Sequence, residues 1–189
     1  MGDPLHDRQS VNVLANAGQA IEIAGRIDGF PRVTESVGND LATLPAGAQP
    51  GNWRTQPVAV RVRFGHSPDG SGAPTLDGAV LAQVPAVCQR CLEPFVYALD
   101  VPVAVQFGRE SDRKDAAAVS PGYEFWELPD DRVRPVDIVD ELIVMAMPLS
   151  ARHANDEDCK APEEAGVASD DRTRPFADLR RQMENADKE

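Results

Sequence analysis

The sequence predicts an α+β fold: an antiparallel β-meander packed against one main helix at about 138–147, with a flexible acidic C-terminal extension. Three observations carry that assignment. Apolar and polar residues alternate with a period of two over 57–64, 75–87 and 95–107, the signature of strands that bury one face. A double apolar stripe at helical spacing follows between 138 and 146. Leu, Ile, Val and Phe number 43, of which 40 precede residue 150, so the core is built before that point. A single domain over 1–159 is expected, and 160–189 is expected to be a mostly disordered tail with a short terminal amphipathic segment.

The elements follow in chain order. Ile21, Ile23 and Ile27 suit a short strand or an irregular helix, with strand preferred. Phe30-Pro-Arg-Val-Thr-Glu-Ser-Val reads as a docking segment or a short helix, and the Gly/Pro-rich 45–52 as a loop. Val58, Val60, Val62 and Phe64 share one face of the first clear strand; Val101, Val103, Val105 and Phe107 share one face of the third. Between the first two strands, residues 65–72 hold nearly every turn-forming residue type. Short links between sequential strands favour antiparallel pairing. Residues 108–132 read as an acidic loop in which Tyr123, Phe125 and Trp126 anchor against the sheet. The helix is expected to start with Asp137 as N-cap and to stop at Pro148. Its stripes are Ile138, Leu142, Met145 and, beside them, Val139, Ile143, Ala146. At the end of the chain, Phe176, Leu179 and Met183 lie at spacings three and four, as in a frayed helix or a docking peptide.

The 31 acidic and 19 basic residues give a net charge of −12, which excludes a protein that coats RNA by charge alone. The excess is local: residues 111–170 hold 15 acids and 6 bases. Elsewhere charges nearly balance and arginines stand close together, among them Arg54, Arg61 and Arg63, then Arg90. Of the bases 16 are Arg, whose planar fork suits phosphate or carboxylate, although genome composition alone produces the same bias. No apolar run approaches the roughly 20 residues of a bilayer span, and the start Met1-Gly-Asp-Pro-Leu-His-Asp-Arg lacks a secretory pattern. A cytoplasmic protein with no membrane partner is expected.

The chemistry-bearing residues are few. Cys88-Gln-Arg-Cys91 falls between two predicted strands, where a two-residue gap lets both sulfurs reach one tetrahedral ion. His153 and Cys159 follow the helix and complete a Cys3His set. A thioredoxin-type pair would instead open a helix. Against a metal stand the long gap from Cys91 to His153 and the lack of Gly beside either cysteine. Three readings stay open: a zinc or former zinc site, unliganded structural or surface cysteines, and a redox switch. There is no Gly-rich phosphate loop, no GxSxG and no HExxH; His6 and His66 have no evident catalytic partner, and no catalysis is inferred.

Cys88-Gln-Arg-Cys91-Leu-Glu-Pro-Phe, Asp137-Ile-Val-Asp-Glu-Leu-Ile-Val-Met-Ala-Met-Pro-Leu with His153 and Cys159 behind it, and Arg174-Pro-Phe-Ala-Asp-Leu resemble the bacterial YceD family. The stretch from Asp28 to Val37 is similar to that family's N-terminal region. The family is described as the large ribosomal RNA subunit accumulation protein and has chloroplast relatives. The resemblance implies a non-catalytic role in the synthesis, processing or stability of large-subunit (23S) ribosomal RNA. It also implies that Cys88, Cys91, His153 and Cys159 are the motif positions, with Arg90 exposed among them. Arg174 stands where the family pattern has Asn. A structural Zn2+ is the cofactor expected if the set holds a metal. Expected partners are the large-subunit RNA or its precursor, met through Arg54, Arg61, Arg63 and Arg90, and a basic ribosomal protein or processing factor suited to the acidic segment. No small-molecule substrate is expected. The alternatives are a zinc-stabilised adaptor unrelated to ribosomes and a CxxC thiol-disulfide protein.

Overall fold

Residues 5–109 and 119–159 are described in a computed structural model of the chain, and all lie in the compact unit Met1–Cys159. The expectations for 160–189, the terminal amphipathic segment included, fall outside the described residues. The three alternating segments form long neighbouring strands: β3 (Pro57–His66), β4 (Pro74–Val87) and β5 (Pro94–Gly108), numbered after the short β1 (Gln9–Ser10) and β2 (Ala20–Arg26). Their pairing is antiparallel, with Val60 opposite Val80 and Val80 opposite Val101. β2 adds antiparallel to β3, so the isoleucine-rich segment is a strand, closed by a 3-10 turn at Ile27–Gly29.

Alternation becomes one buried face. Val58, Val60, Val62 and Phe64, then Leu76, Val80, Ala82 and Val84, then Val101, Val103, Val105 and Phe107 all point inward. Two helices cover that face: α2 (Pro31–Leu41), after the short α1 (Val11–Asn16), and α3 (Pro135–Ala146). The sequence showed one of them clearly. α2 buries Val33, Val37 and Leu41 at intervals of four, and it starts on Pro31, whose fixed φ suits a first turn.

α3 begins before 138, the expected start. Arg134 is extended, Pro135 opens the helix, and Asp137 lies inside the first turn, where its carboxylate accepts from the Arg134 guanidinium at 2.7 and 2.9 Å. The apolar stripe also ends early: Ile138, Val139, Leu142 and Ile143 are buried, whereas Met145 is 56% exposed. Between them Asp140 is only 3% exposed. Its two carboxylate oxygens accept from the backbone N–H groups of Arg32 and Val33, each at 2.9 Å, so a residue of α3 caps α2.

The 108–132 segment also departs from a plain loop. Glu124–Glu127 forms β6, which pairs parallel with β5 and puts Trp126 opposite Phe107. The sheet order is β2-β3-β4-β5-β6, and a separate ribbon joins β1 to β7 (Arg132–Val133). The returning chain is fastened by Ser120, whose N–H donates to Gln106 Oε1 and whose hydroxyl donates to Asp69, and by the Tyr123 hydroxyl, which donates to Asp77. Gly78 in β4 has φ +147°, and a Cβ there would lie 2.8 Å from Val62 Cα and closer still to the Arg61 carbonyl oxygen. Only glycine fits that approach of β4 to β3. Among the described residues no helix is long and apolar enough to cross a membrane.

Candidate metal centre

The β4–β5 hairpin closes through Cys88-Gln-Arg-Cys91-Leu-Glu. The Cys88 N–H donates to the Glu93 carbonyl at 3.0 Å and the Leu92 N–H to the Cys88 carbonyl at 2.8 Å. Leu92 turns the corner at φ +61°, a left-handed conformation more often taken by glycine. This is how the knuckle forms without the glycine that its sequence lacks. Long-range contacts support it: the Gln89 N–H donates to the Ala151 carbonyl at 2.9 Å, and the His153 ring packs on Phe95 with centroids 4.5 Å apart.

That tie brings the segment after α3 onto the hairpin. Cys88 Sγ lies 3.7 Å from Cys159 Sγ, and Cys91 Sγ lies 3.6 Å from His153 Nδ1. One donor atom from each of the four residues falls within 4.8 Å of all the others. The three cysteines are buried and free of disulfides, and His153 is half-buried. With Zn–S near 2.3 Å and Zn–N near 2.0–2.1 Å, a regular tetrahedron has S···S edges of about 3.8 Å and S···N edges of about 3.6 Å. The two contacts match those edges, and the donor set suits zinc. The CxxC pair lies in a hairpin turn and not in the first turn of a helix, the setting that activates thioredoxin-type thiols.

Electrostatics within the cluster are uneven. Burial pushes the Cys88 thiol up, but the backbone N–H groups of Cys91, Arg90 and His153 aim at its sulfur and together bring it down to about 5. Cys159 is pushed up to about 11, by burial first and then by hydrogen bonding with the Cys88 and Cys91 sulfurs. The knuckle N–H groups thus favour the thiolate at Cys88 over Cys159, and a cation that enters the set displaces thiol protons. Several thiolates buried side by side are stable only with a positive charge among them.

The four sequence-predicted arginines are not gathered. Arg54 lies in the 3-10 turn before β3, its guanidinium 4.3 Å above the Trp53 ring. Arg61 and Arg63 project from the exposed face of β3, with Arg61 Nε 2.9 Å from Glu22. Arg90 is exposed at the hairpin tip. Arg61 is paired with Ala79, and the extended strand from there to Cys88 covers about 30 Å, so Arg90 belongs to a different end of the sheet. Leu92 and Phe95, the supports of the knuckle, stand in the Cys88-Gln-Arg-Cys91-Leu-Glu-Pro-Phe motif, but the sequence alone assigns them no role.

A family model described as "Large ribosomal RNA subunit accumulation protein YceD" matches residues 76–187, a span that holds the hairpin, α3 and all four donor residues. No curated protein and no solved structure matches the chain.

Proposed function

The chain belongs to the YceD family, whose model matches more than half of its length, and on that footing we propose that it is a non-catalytic factor supporting the synthesis, processing or stability of 23S ribosomal RNA. The observation that carries this reading is the overlap of the family match with the buried Cys3His cluster. In this proposal Cys88, Cys91, His153 and Cys159 hold a structural Zn2+. A metal with four protein ligands has no open position for substrate, so it supplies cross-linking and not Lewis-acid chemistry. The chain's own residues do the rest: the knuckle N–H groups hold the Cys88 thiolate, and Phe95 orients the His153 ring. The partners proposed are the large-subunit RNA or its precursor, and a basic ribosomal protein or processing factor whose charge complements the acidic 111–170 segment.

Depletion of the protein in growing cells, followed by quantification of precursor and mature large-subunit RNA, tests the reading. The precursor-to-mature ratio is expected to rise and to return on complementation. An unchanged ratio in both slow and fast growth refutes it.

A further inference from the structure

The N-terminal ends of α2 and α3 flank a cleft of about 670 Å³ that the cluster does not touch. Its walls carry Arg8, Arg32, Arg132 and Arg134, with Trp126 and Leu128 at the side. The four arginines come from β1's approach, α2, β7 and the residue before α3, so the fold and not a sequence run assembles them. Against these four guanidinium groups stand three carboxylates, Asp137 and Glu141 in the walls and Asp130 on Arg8, which leaves an excess of one positive charge. A net positive cleft in a chain of net charge −12 is a local departure of the sign that phosphate needs.

Three of the arginines have carboxylate neighbours: Arg8 with Asp130 at 2.8 Å, Arg134 with Asp137 at 2.7 Å, and Arg32 with Glu141. The side chains of Arg8 and Asp130 are 60% and 52% exposed, those of Arg134 and Asp137 53% and 55%. The Arg8–Asp130 pair, a single contact exposed on both sides, holds weakly and yields readily to a phosphate, whereas Asp137 holds the Arg134 fork through both Nε and Nη2 and fixes its orientation. Trp126 packs on the core by part of its surface and borders the cleft with the rest, which offers a platform for a base. Guanidinium forks beside an aromatic ring are the pairing that single-stranded nucleic acid binding uses.

We propose that this cleft binds single-stranded RNA, with phosphates on Arg8, Arg32, Arg132 and Arg134 and a base stacked on Trp126. The inference rests on the ribosomal-RNA role proposed above and names the surface that would serve it. The test titrates the full chain into end-labelled oligouridylate and follows anisotropy across salt concentrations. The Arg8→Ala, Arg132→Ala double variant is expected to lower the slope of log affinity against log salt by about 1.4, two single-strand phosphate contacts. Trp126→Ala is expected to weaken binding about tenfold, and Trp126→Phe to recover most of that. Arg26→Ala, outside the cleft, leaves both quantities unchanged, and circular dichroism checks that each variant is folded. The proposal is overturned if the chain does not bind the RNA. It is equally overturned if the slope ignores the cleft pair and follows Arg61→Ala with Arg63→Ala. Each of those results leaves the precursor-to-mature ratio after depletion to be judged separately, so the two readings fail independently.

Discussion

Removal of the Zn2+ proposed for the Cys3His cluster is expected to cost the fold heavily, and the loop it would close sets the size of the loss. Cys88 and Cys159 stand 71 residues apart in sequence yet 3.7 Å apart in space, so an ion that joins them closes a long loop. Treated as a cross-link on the unfolded chain, closure of a loop of that length is worth about 4 kcal/mol. For a domain of this size that translates to a fall of roughly 8–16 °C in thermal midpoint. Differential scanning fluorimetry with and without a metal chelator measures it, with elemental analysis of the same sample. Cys159→Ser is expected to reproduce most of the fall and to abolish the response to chelator. Less than about a tenth of an equivalent of zinc after reducing, chelator-free purification would refute the reasoning, as would a chelator shift under about 2 °C.

Three further outcomes follow from the fold. Asp140→Ala leaves the N–H groups of Arg32 and Val33 without their acceptors, one of them fully buried, and is expected to cost about 2–4 kcal/mol in urea unfolding; a loss under about 0.5 kcal/mol would contradict the cap. Gly78→Ala drives a methyl group into the backbone of β3 and is expected to destabilise by about 2–5 kcal/mol, with the thermal midpoint as readout. The Asp69 carboxyl lies well below the usual carboxylate range because the hydroxyl and N–H of Ser71 and the hydroxyl of Ser120 donate to it. A folded value depressed in this way contributes stability above the unfolded value, near 3.9, that is lost as pH falls below it; Asp69→Asn should flatten the acid limb of a urea-midpoint profile, and an unaltered limb would refute the assignment.

Much of the site was legible because it rests on residue identity. Cysteine and histidine are scarce in this chain, and the strands flanking Cys88 and Cys91 announce themselves by alternation. Strand faces were legible for the same local reason, since period two fixes which side chains share a side. What escaped was set by distant contacts. The α2 stripe of Val33, Val37 and Leu41 is narrow, and the acid that caps it lies 107 residues from Val33, so neither is visible in a local window. β6 is four residues long and stands only because β5 offers its edge. The start of α3 was misplaced because Asp137 looks like a cap, whereas Pro135 already holds helical φ and Arg134 takes the aspartate's charge. The arginines were grouped by nearness in sequence, which a strand of 14 residues defeats by carrying Arg90 far from Arg61.

The donor residues also impose an order on synthesis. Cys88 and Cys91 leave the ribosome first, and at about 5–20 residues per second the 71 positions to Cys159 take roughly 4–14 s to follow. During that interval the nascent chain presents a two-thiol half-site that no later ligand yet completes. The Zn2+ proposed for these four residues would thus mark a polypeptide whose translation has passed residue 159.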